Sequence, residues 1–332
     1  MLELILELPA QLRWAADLEP PALDAAETAL VTGMGGSGIS GDVAAVVAGE
    51  ARKLVLVHKG YGLPGWAAVV RPLVVAVSHS GDTEETLSAV GETVESELPL
   101  AVVTTGGRLA ELAADADWPL VRLPGGPQPR AALGYLAGGV LRTLEAAGLL
   151  PPQSEALREA ADVVDGLLGG GEGSGMRLGA DIAEALDGRV TVIYGGLGVG
   201  ATAAGRWKTQ INENGKAPAY WSALPELDHN EVVGWDAVAD LTGRAVGVVF
   251  LRDGRDHPRV AQRVEFTQEL MDGKVGIAGQ VWAQGEGLLA RLFSLMVIGD
   301  IVSVTIAERA GVDPMPVDVI ERLKQRLVEE RP

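Results

Sequence analysis

The segment Ala29-Leu30-Val31-Thr32-Gly33-Met34-Gly35-Gly36-Ser37-Gly38-Ile39-Ser40-Gly41 decides the fold. Its first four residues read as a short buried strand, the glycines as a tight loop, and the Ala/Val-rich stretch beyond as a helix. Gly33, Gly35 and Gly38 satisfy the spacing of a dinucleotide loop. Glycines placed after a strand let backbone N–H groups and a helix N-terminus approach an anion closely. The spacing alone does not name the anion. The next strand ends Val57-His58-Lys59, with no acid to hold a ribose hydroxyl, although Lys59 could favour a 2′-phosphate. An NAD(P)-dependent oxidoreductase therefore stays open at this point.

Outward from that segment the alternation recurs. Leu8 to Thr28 reads as helical, and strands are expected at Lys53–His58, Pro72–Val77 and Leu100–Thr104, with a helix over Glu84–Leu98. In the second half, helices at Pro151–Leu168 and Gly179–Leu186 flank Gly169–Gly175, a flexible loop by composition. A strand at Val190–Tyr194 then runs into a second glycine loop, Gly195–Gly200, and strands at Ala217–Trp221, Ala245–Leu251 and Lys274–Trp282 follow. This pattern implies an α/β fold with two doubly wound domains, each a parallel sheet flanked by helices. The strand around Val31 recurs around Val192, so we read two similar halves, 1–150 and 151–332, although any doubly wound protein alternates in this way.

A length of 332 residues suffices for two such domains, and 47% apolar against 22% charged residues marks a folding chain. The 44 glycines and 3 phenylalanines point to many tight turns around an Ala, Val and Leu core. Acidic residues outnumber basic ones 45 to 27, a net charge of −18, which argues against a nucleic-acid partner. Cysteine is absent and the 4 histidines lack ligand spacing, so neither a disulfide nor a metal site is expected. Met1 to Trp14 has no basic n-region, and the apolar stretch Leu288–Ala307 is interrupted by Arg291 and Asp300. A buried helix is expected there, with no membrane partner, in a soluble cytoplasmic protein.

The third strand carries the chemistry. It ends Ser78-His79-Ser80-Gly81-Asp82-Thr83, three hydroxyls at the carboxyl end of a strand, where ligands bind in open α/β sheets. Hydroxyls and free amides at a helix start suit one compact phosphate better than a pyrophosphate. The local alternative is capping, with Asp82 and Glu85 forming a capping box.

Met34-Gly35-Gly36-Ser37-Gly38-Ile39, Ser78 to Thr86, Pro127-Gln128-Pro129-Arg130, Asn212-Glu213-Asn214-Gly215-Lys216 and His229-Asn230-Glu231 occur in that order. Together they resemble the bifunctional phosphoglucose/phosphomannose isomerase family, built from two sugar-isomerase (SIS) domains. The resemblance spans nearly the whole chain. It implies that Ser78, Ser80 and Thr83, with Ser37, Gly35 and Gly36 of the glycine loop, hold the sugar phosphate. Two positions depart from the family pattern: His79 replaces an aromatic and Asp82 an Asn. A carboxylate beside a dianionic phosphate repels it unless it turns away to cap a helix, and a protonated His79 would offset it.

By the same resemblance Glu213 is the base that moves a proton between C1 and C2, though a Glu at a helix end is ordinarily just solvated. His229 resembles the residue that opens the sugar ring and implies a homodimer with the active site at the interface. A lone surface histidine is its plain alternative. Arg130 matches the arginine that steadies the enediolate, or else pairs with a nearby acid. Lys324 resembles a lysine at the sugar, or is one of a solvated set with Arg322 and Arg326. If Ala201–Glu213 is one helix, Glu213 lies about 18 Å along it from the second glycine loop. It is therefore expected to serve the first half's phosphate loop, leaving Gly195–Gly200 without ligand. The implied reaction interconverts fructose 6-phosphate with glucose 6-phosphate and mannose 6-phosphate through a cis-enediol, with no cofactor. A non-catalytic SIS-type regulator that binds sugar phosphate remains the alternative from another class.

Overall fold

The computed structural model describes residues 1–126 and 128–330. Its first half contains β1 (Thr28–Thr32), β2 (Leu54–His58), β3 (Leu73–Ser78), β4 (Leu100–Thr104) and β5 (Leu120–Arg122). Around them run α1 (Leu2–Leu6), α2 (Leu8–Asp17), α3 (Gly35–Glu50), α4 (Ala67–Val70), α5 (Glu84–Glu95), α6 (Gly107–Asp115) and α7 (Leu133–Ala146). The second half contains β6 (Val190–Gly196), β7 (Ala219–Leu224), β8 (Val246–Arg252) and β9 (Gly276–Trp282). Its helices are α8 (Ser154–Leu168), α9 (Ser174–Ala185), α10 (Val199–Glu213), α11 (Ala239–Ala245), α12 (Pro258–Met271), α13 (Leu288–Ala310) and α14 (Asp318–Glu329).

Both sheets are parallel throughout, in the orders β2-β1-β3-β4-β5 and β7-β6-β8-β9. The first four strands of each half thus repeat one topology, which is the α/β fold expected. The central strands explain why they were readable. Every residue of β3, Leu-Val-Val-Ala-Val-Ser, is buried, as is every residue of β8. A parallel strand covered on both faces needs an apolar run without alternation.

Three local expectations are corrected. The helix from Leu8 ends at Asp17 rather than Thr28, because Pro20-Pro21 cannot continue it and bias the preceding residue toward extended backbone. α6 and the three-residue β5 add a strand that no pattern announced. Gly169–Gly175 is not one loop: Gly169 caps α8 in the left-handed region (φ 49°), a 3-10 turn follows, and α9 begins at Ser174.

One apolar cluster runs through both halves, with smaller clusters on the outer face of each sheet. α3 and α10, the helices that follow the two glycine loops, pack on each other, while α2 packs against both α7 and α8. α13 is long and apolar enough to cross a membrane, but 83% of that stretch is buried against α8, α9 and α10. It is a core helix, as its charged interruptions implied.

Candidate active site

The two loops of the first half abut at the carboxyl ends of β1 and β3. A Cβ on Gly33 would fall 2.7 Å from the Val77 carbonyl, so only glycine lets the first loop turn against β3. Ser37 Oγ accepts from the His79 N–H at 3.3 Å and joins the loops. Ser78, fully buried, sets the shape of the second: its hydroxyl lies 2.9 Å from Thr83 Oγ1 and accepts from the Gly81 N–H at 3.0 Å. Ser80 is exposed and Thr83 half-buried, at the start of α5, whose first turn receives no side-chain cap. A twelve-residue helix with free N-terminal amides and hydroxyls around it is a seat for a compact anion.

The departures at Asp82 and His79 resolve differently from expectation. No capping box forms on α5, because Thr83 occupies the N-cap position. Asp82 instead reaches α6, where its Oδ1 accepts from the Arg108 N–H at 2.9 Å beside Gly107. The carboxylate is thus engaged by the positive end of a second helix. His79 supplies no offsetting charge: it is only 8% exposed and burial holds its pKa below the ordinary 6.5. Lys59 is not free for a 2′-phosphate either, since its ammonium meets Asp42 of α3 at 2.5 Å.

The first glycine loop also touches the segment that carries Arg130. A Cβ on Gly36 would lie 3.1 Å from the Pro129 carbonyl, and Pro129–Ala131 form a 3-10 turn ahead of α7. Pro127, at the head of that Pro-Gln-Pro-Arg run, lies outside the described residues. The Arg130 guanidinium is 4% exposed. Its Nε donates to Asn214 Oδ1 at 2.6 Å, Nη1 to Gln128 Oε1 at 2.7 Å, and Nη2 to the Pro314 and Met315 carbonyls at 2.7 and 2.8 Å. A guanidinium has five donors, so these contacts leave one N–H, and it belongs to Nη1. Nη1 is also the nitrogen 3.8 Å from Glu213 Oε2. Burial lowers the Arg130 pKa, the Glu213 charge opposes that, and the neighbouring Arg206 adds to it.

Glu213 ends α10 with its side chain 29% exposed. The Lys216 ammonium donates to the Glu213 carbonyl and, at 2.6 Å, to that of Pro316, tying this helix end to the loop before α14. Burial lowers the Lys216 pKa, and the Arg130 charge lowers it further. A cavity of about 380 Å³ opens here, lined among others by Asn212, Glu213, Lys216, Asp318 and Arg322.

The second glycine loop sits at the other end of α10 and is differently filled. A Cβ on Gly196 would fall 2.7 Å from Asp256 Oδ1, so a carboxylate lies against this loop. Burial pushes the Asp256 pKa up, and the Asp253 backbone N–H donating to it opposes that. An anion entering there would meet that acid. His229 ends a 3-10 turn, Glu226–His229, and is exposed. The turn is held by Asp228, which accepts from Arg263 Nη1 at 2.9 Å and Thr267 Oγ1 at 2.8 Å. Lys324 is exposed on α14. The fold therefore brings Ser37, Ser78, Ser80, Thr83, Gly35 and Gly36 together, and joins Arg130 with Glu213. His229 and Lys324 point to solvent.

Known proteins resemble this chain over nearly its whole length. Over 99% of its length the chain is 34% identical to 99% of a bifunctional phosphoglucose/phosphomannose isomerase from Caldicellulosiruptor bescii. The chain belongs to the bifunctional phosphoglucose/phosphomannose isomerase family. A relative of the same description from Aquifex aeolicus is 37% identical over 89% of this chain and 88% of its own. The profile of the bacterial phospho-glucose isomerase C-terminal SIS domain matches residues 177–327. Among solved structures, the C-terminal domain of glucosamine-fructose-6-phosphate aminotransferase from Francisella tularensis superposes with TM-score 0.70 at 14% identity. That match covers 94% of this chain and 96% of the other, and shows the shared SIS fold.

Within this family member, motif reading missed the residues that hold Arg130. Arg206 on α10 forms a buried ion pair with Asp300 of α13, Nε and Nη2 to the two carboxylate oxygens at 3.0 Å each. Its Nη2 also donates to the Arg130 carbonyl at 2.5 Å. Asp300 accepts from Gln210 as well, at 2.8 Å. The available signal was a pair of opposite charges in two helices otherwise apolar enough to be buried, since buried charges are almost always paired.

Proposed function

We propose that this chain interconverts fructose 6-phosphate with glucose 6-phosphate and mannose 6-phosphate by proton transfer through a cis-enediol. As a member of its family it is an aldose–ketose isomerase. The observation that carries the residue assignment is that, among the described residues, one N–H of Arg130 has no acceptor, and it sits on the nitrogen nearest the Glu213 carboxylate. Glu213 takes the proton from one carbon and returns it to the next. As the carbonyl oxygen becomes an alkoxide, that N–H donates to it, and a cation held in a largely buried position stabilises it more than water would. Ser37, Ser80, Thr83 and the amides of α3 and α5 seat the phosphate, with Ser78 shaping the loop. Anchoring remote from the reacting carbons supplies binding energy for orientation.

The domains are assigned to 1–150 and 151–332, with the phosphate seat in the first and Glu213 reaching it from the second. His229 opens the sugar ring and Lys324 contacts the sugar, both across a homodimer interface. Supporting this, α14 buries no described side chain while Val319, Leu323 and Leu327 are 72%, 60% and 51% exposed, an apolar stripe unusual for a solvated helix. The edge strand β7 also presents Tyr220 and Trp221. We place the enzyme in the cytoplasm, where sugar phosphates are retained.

Purified protein is expected to convert fructose 6-phosphate to both aldose phosphates, whereas Glu213→Gln abolishes conversion with an unchanged melting temperature. A Glu213→Gln variant that turns over normally refutes the assignment. Binding of fructose 6-phosphate without turnover by the unmodified chain would instead support the regulator reading.

A further inference from the structure

The two buried arginines of this network are treated differently. Arg206 is neutralised by a two-point contact with Asp300. Arg130, joined to it through one hydrogen bond, donates four times among the described residues, each time to an uncharged oxygen: Asn214 Oδ1, Gln128 Oε1 and the Pro314 and Met315 carbonyls. Among the described residues its sole carboxylate neighbour within 4.0 Å is Glu213, at 3.8 Å.

We propose that Asn214, seconded by Gln128, is a positioning residue that holds Arg130 by a neutral acceptor and so leaves its positive charge undischarged for the enediolate oxygen. This rests on the reading of Arg130 as the group that steadies the enediolate. Asn214 is fully buried just beyond Glu213. Its amide has one possible orientation, because a guanidinium can only donate and therefore takes the oxygen. The amide N–H then donates to Ser303 Oγ at 3.0 Å, and the Ser303 hydroxyl donates to the Asp300 carbonyl at 2.6 Å. The chain of donors fixes an uncharged oxygen 2.6 Å from Arg130 Nε.

The consequence is a charge count that stays constant through the reaction. With Glu213 ionised, its carboxylate faces Arg130. When Glu213 takes the proton that charge disappears and the enediolate oxygen takes its place, so one cation faces one anion at every stage. A second, permanent carboxylate at position 214 would discharge the guanidinium before the substrate does, and would weaken the field the enediolate meets.

The test is Asn214→Asp, nearly isosteric, beside Gln128→Glu and Arg130→Gln. Kinetics with fructose 6-phosphate, melting temperature, and inhibition by a sugar-phosphate hydroxamate carrying its charge at the C1–C2 end would be measured. Asn214→Asp is expected to keep KM within about threefold and to melt within a few degrees of the unmodified enzyme, because the new ion pair with Arg130 offsets the lost amide donor to Ser303. Its kcat should fall on the order of 100-fold, and hydroxamate affinity should fall in parallel. Gln128→Glu, at a half-buried position, should show the same pattern more weakly. A folded Asn214→Asp with kcat within threefold of the unmodified enzyme, while Arg130→Gln is reduced more than 100-fold, overturns this inference and leaves the role of Arg130 standing. If Arg130→Gln is itself unaffected, the parent reading fails instead. Should Asn214→Asp not fold, Gln128→Glu decides alone, and an unchanged kcat overturns the inference.

Discussion

Replacing Asp300 by Asn removes one charge from the buried pair that underlies the site, and the effect can be sized. Asp300 is 4% exposed and receives three hydrogen bonds, two from Arg206 and one from Gln210. Burial pushes its pKa up, opposed by the Arg206 charge and the hydrogen bonds, so the carboxylate tolerates this position only through its partners. Asn can replace some of the contacts but leaves the Arg206 charge uncompensated. Breaking a buried pair in this way costs about 3–5 kcal/mol, a drop of about 4–7 °C in melting temperature for a chain of 332 residues. The double variant Arg206→Met/Asp300→Leu removes both charges and is expected to melt within a few degrees of the unmodified protein. It should nevertheless turn over more slowly, since the Arg130 carbonyl has lost its donor. Calorimetry on Arg206→Met, Asp300→Leu and their double gives the coupling directly. A double variant as unstable as the sum of the singles, or Asp300→Asn melting within about 2 °C of the original, would refute the reasoning.

Two further outcomes are expected. Asp82→Asn keeps an oxygen for the Arg108 N–H while deleting a charge from the phosphate loop. Stability should change by less than about 1 kcal/mol, and KM for fructose 6-phosphate should fall roughly threefold; a raised KM contradicts the placement of the phosphate at this loop. His79→Phe bears on pH. Because burial lowers the folded-state pKa below 6.5, the unfolded chain binds the proton first as the medium is acidified, so stability declines as pH falls through about 6.5. Between pH 7 and pH 5 the unmodified protein should therefore lose more melting temperature than His79→Phe, and equal losses would show that the imidazole is not held neutral.

The sheets were legible because parallel strands covered on both faces must be apolar runs, and β3, β4, β6 and β8 are. The glycine loops were legible for a related reason: close backbone approach admits no side chain. What escaped depends on meetings between distant residues. Asn214 and Arg130 are 84 residues apart and Asp300 and Arg206 are 94, and no local spacing announces either contact. Asp300 entered the sequence reading only as an interruption of an apolar stretch. Asp82 was misread because its partner belongs to α6, a helix that short periodicity did not reveal. Glu213 and His229 carried no chemistry of their own in sequence; the ordered motifs singled them out, and the fold then joined one of them to Arg130 while leaving the other at the surface.

α10 spans fifteen residues between a loop sealed by Asp256 and the end that bears Glu213 and Asn214. A helix turns about 100° and advances about 1.5 Å with each residue. Adding or deleting a single residue between Val199 and Glu213 would swing the carboxylate away from Arg130 even with every motif letter intact. Length, then, is inherited here as strictly as identity. In a related sequence, a one-residue gap inside this helix should mark an enzyme that has lost the reaction, whereas a gap at residues 170–172, in the turn between α8 and α9, should leave the reaction intact.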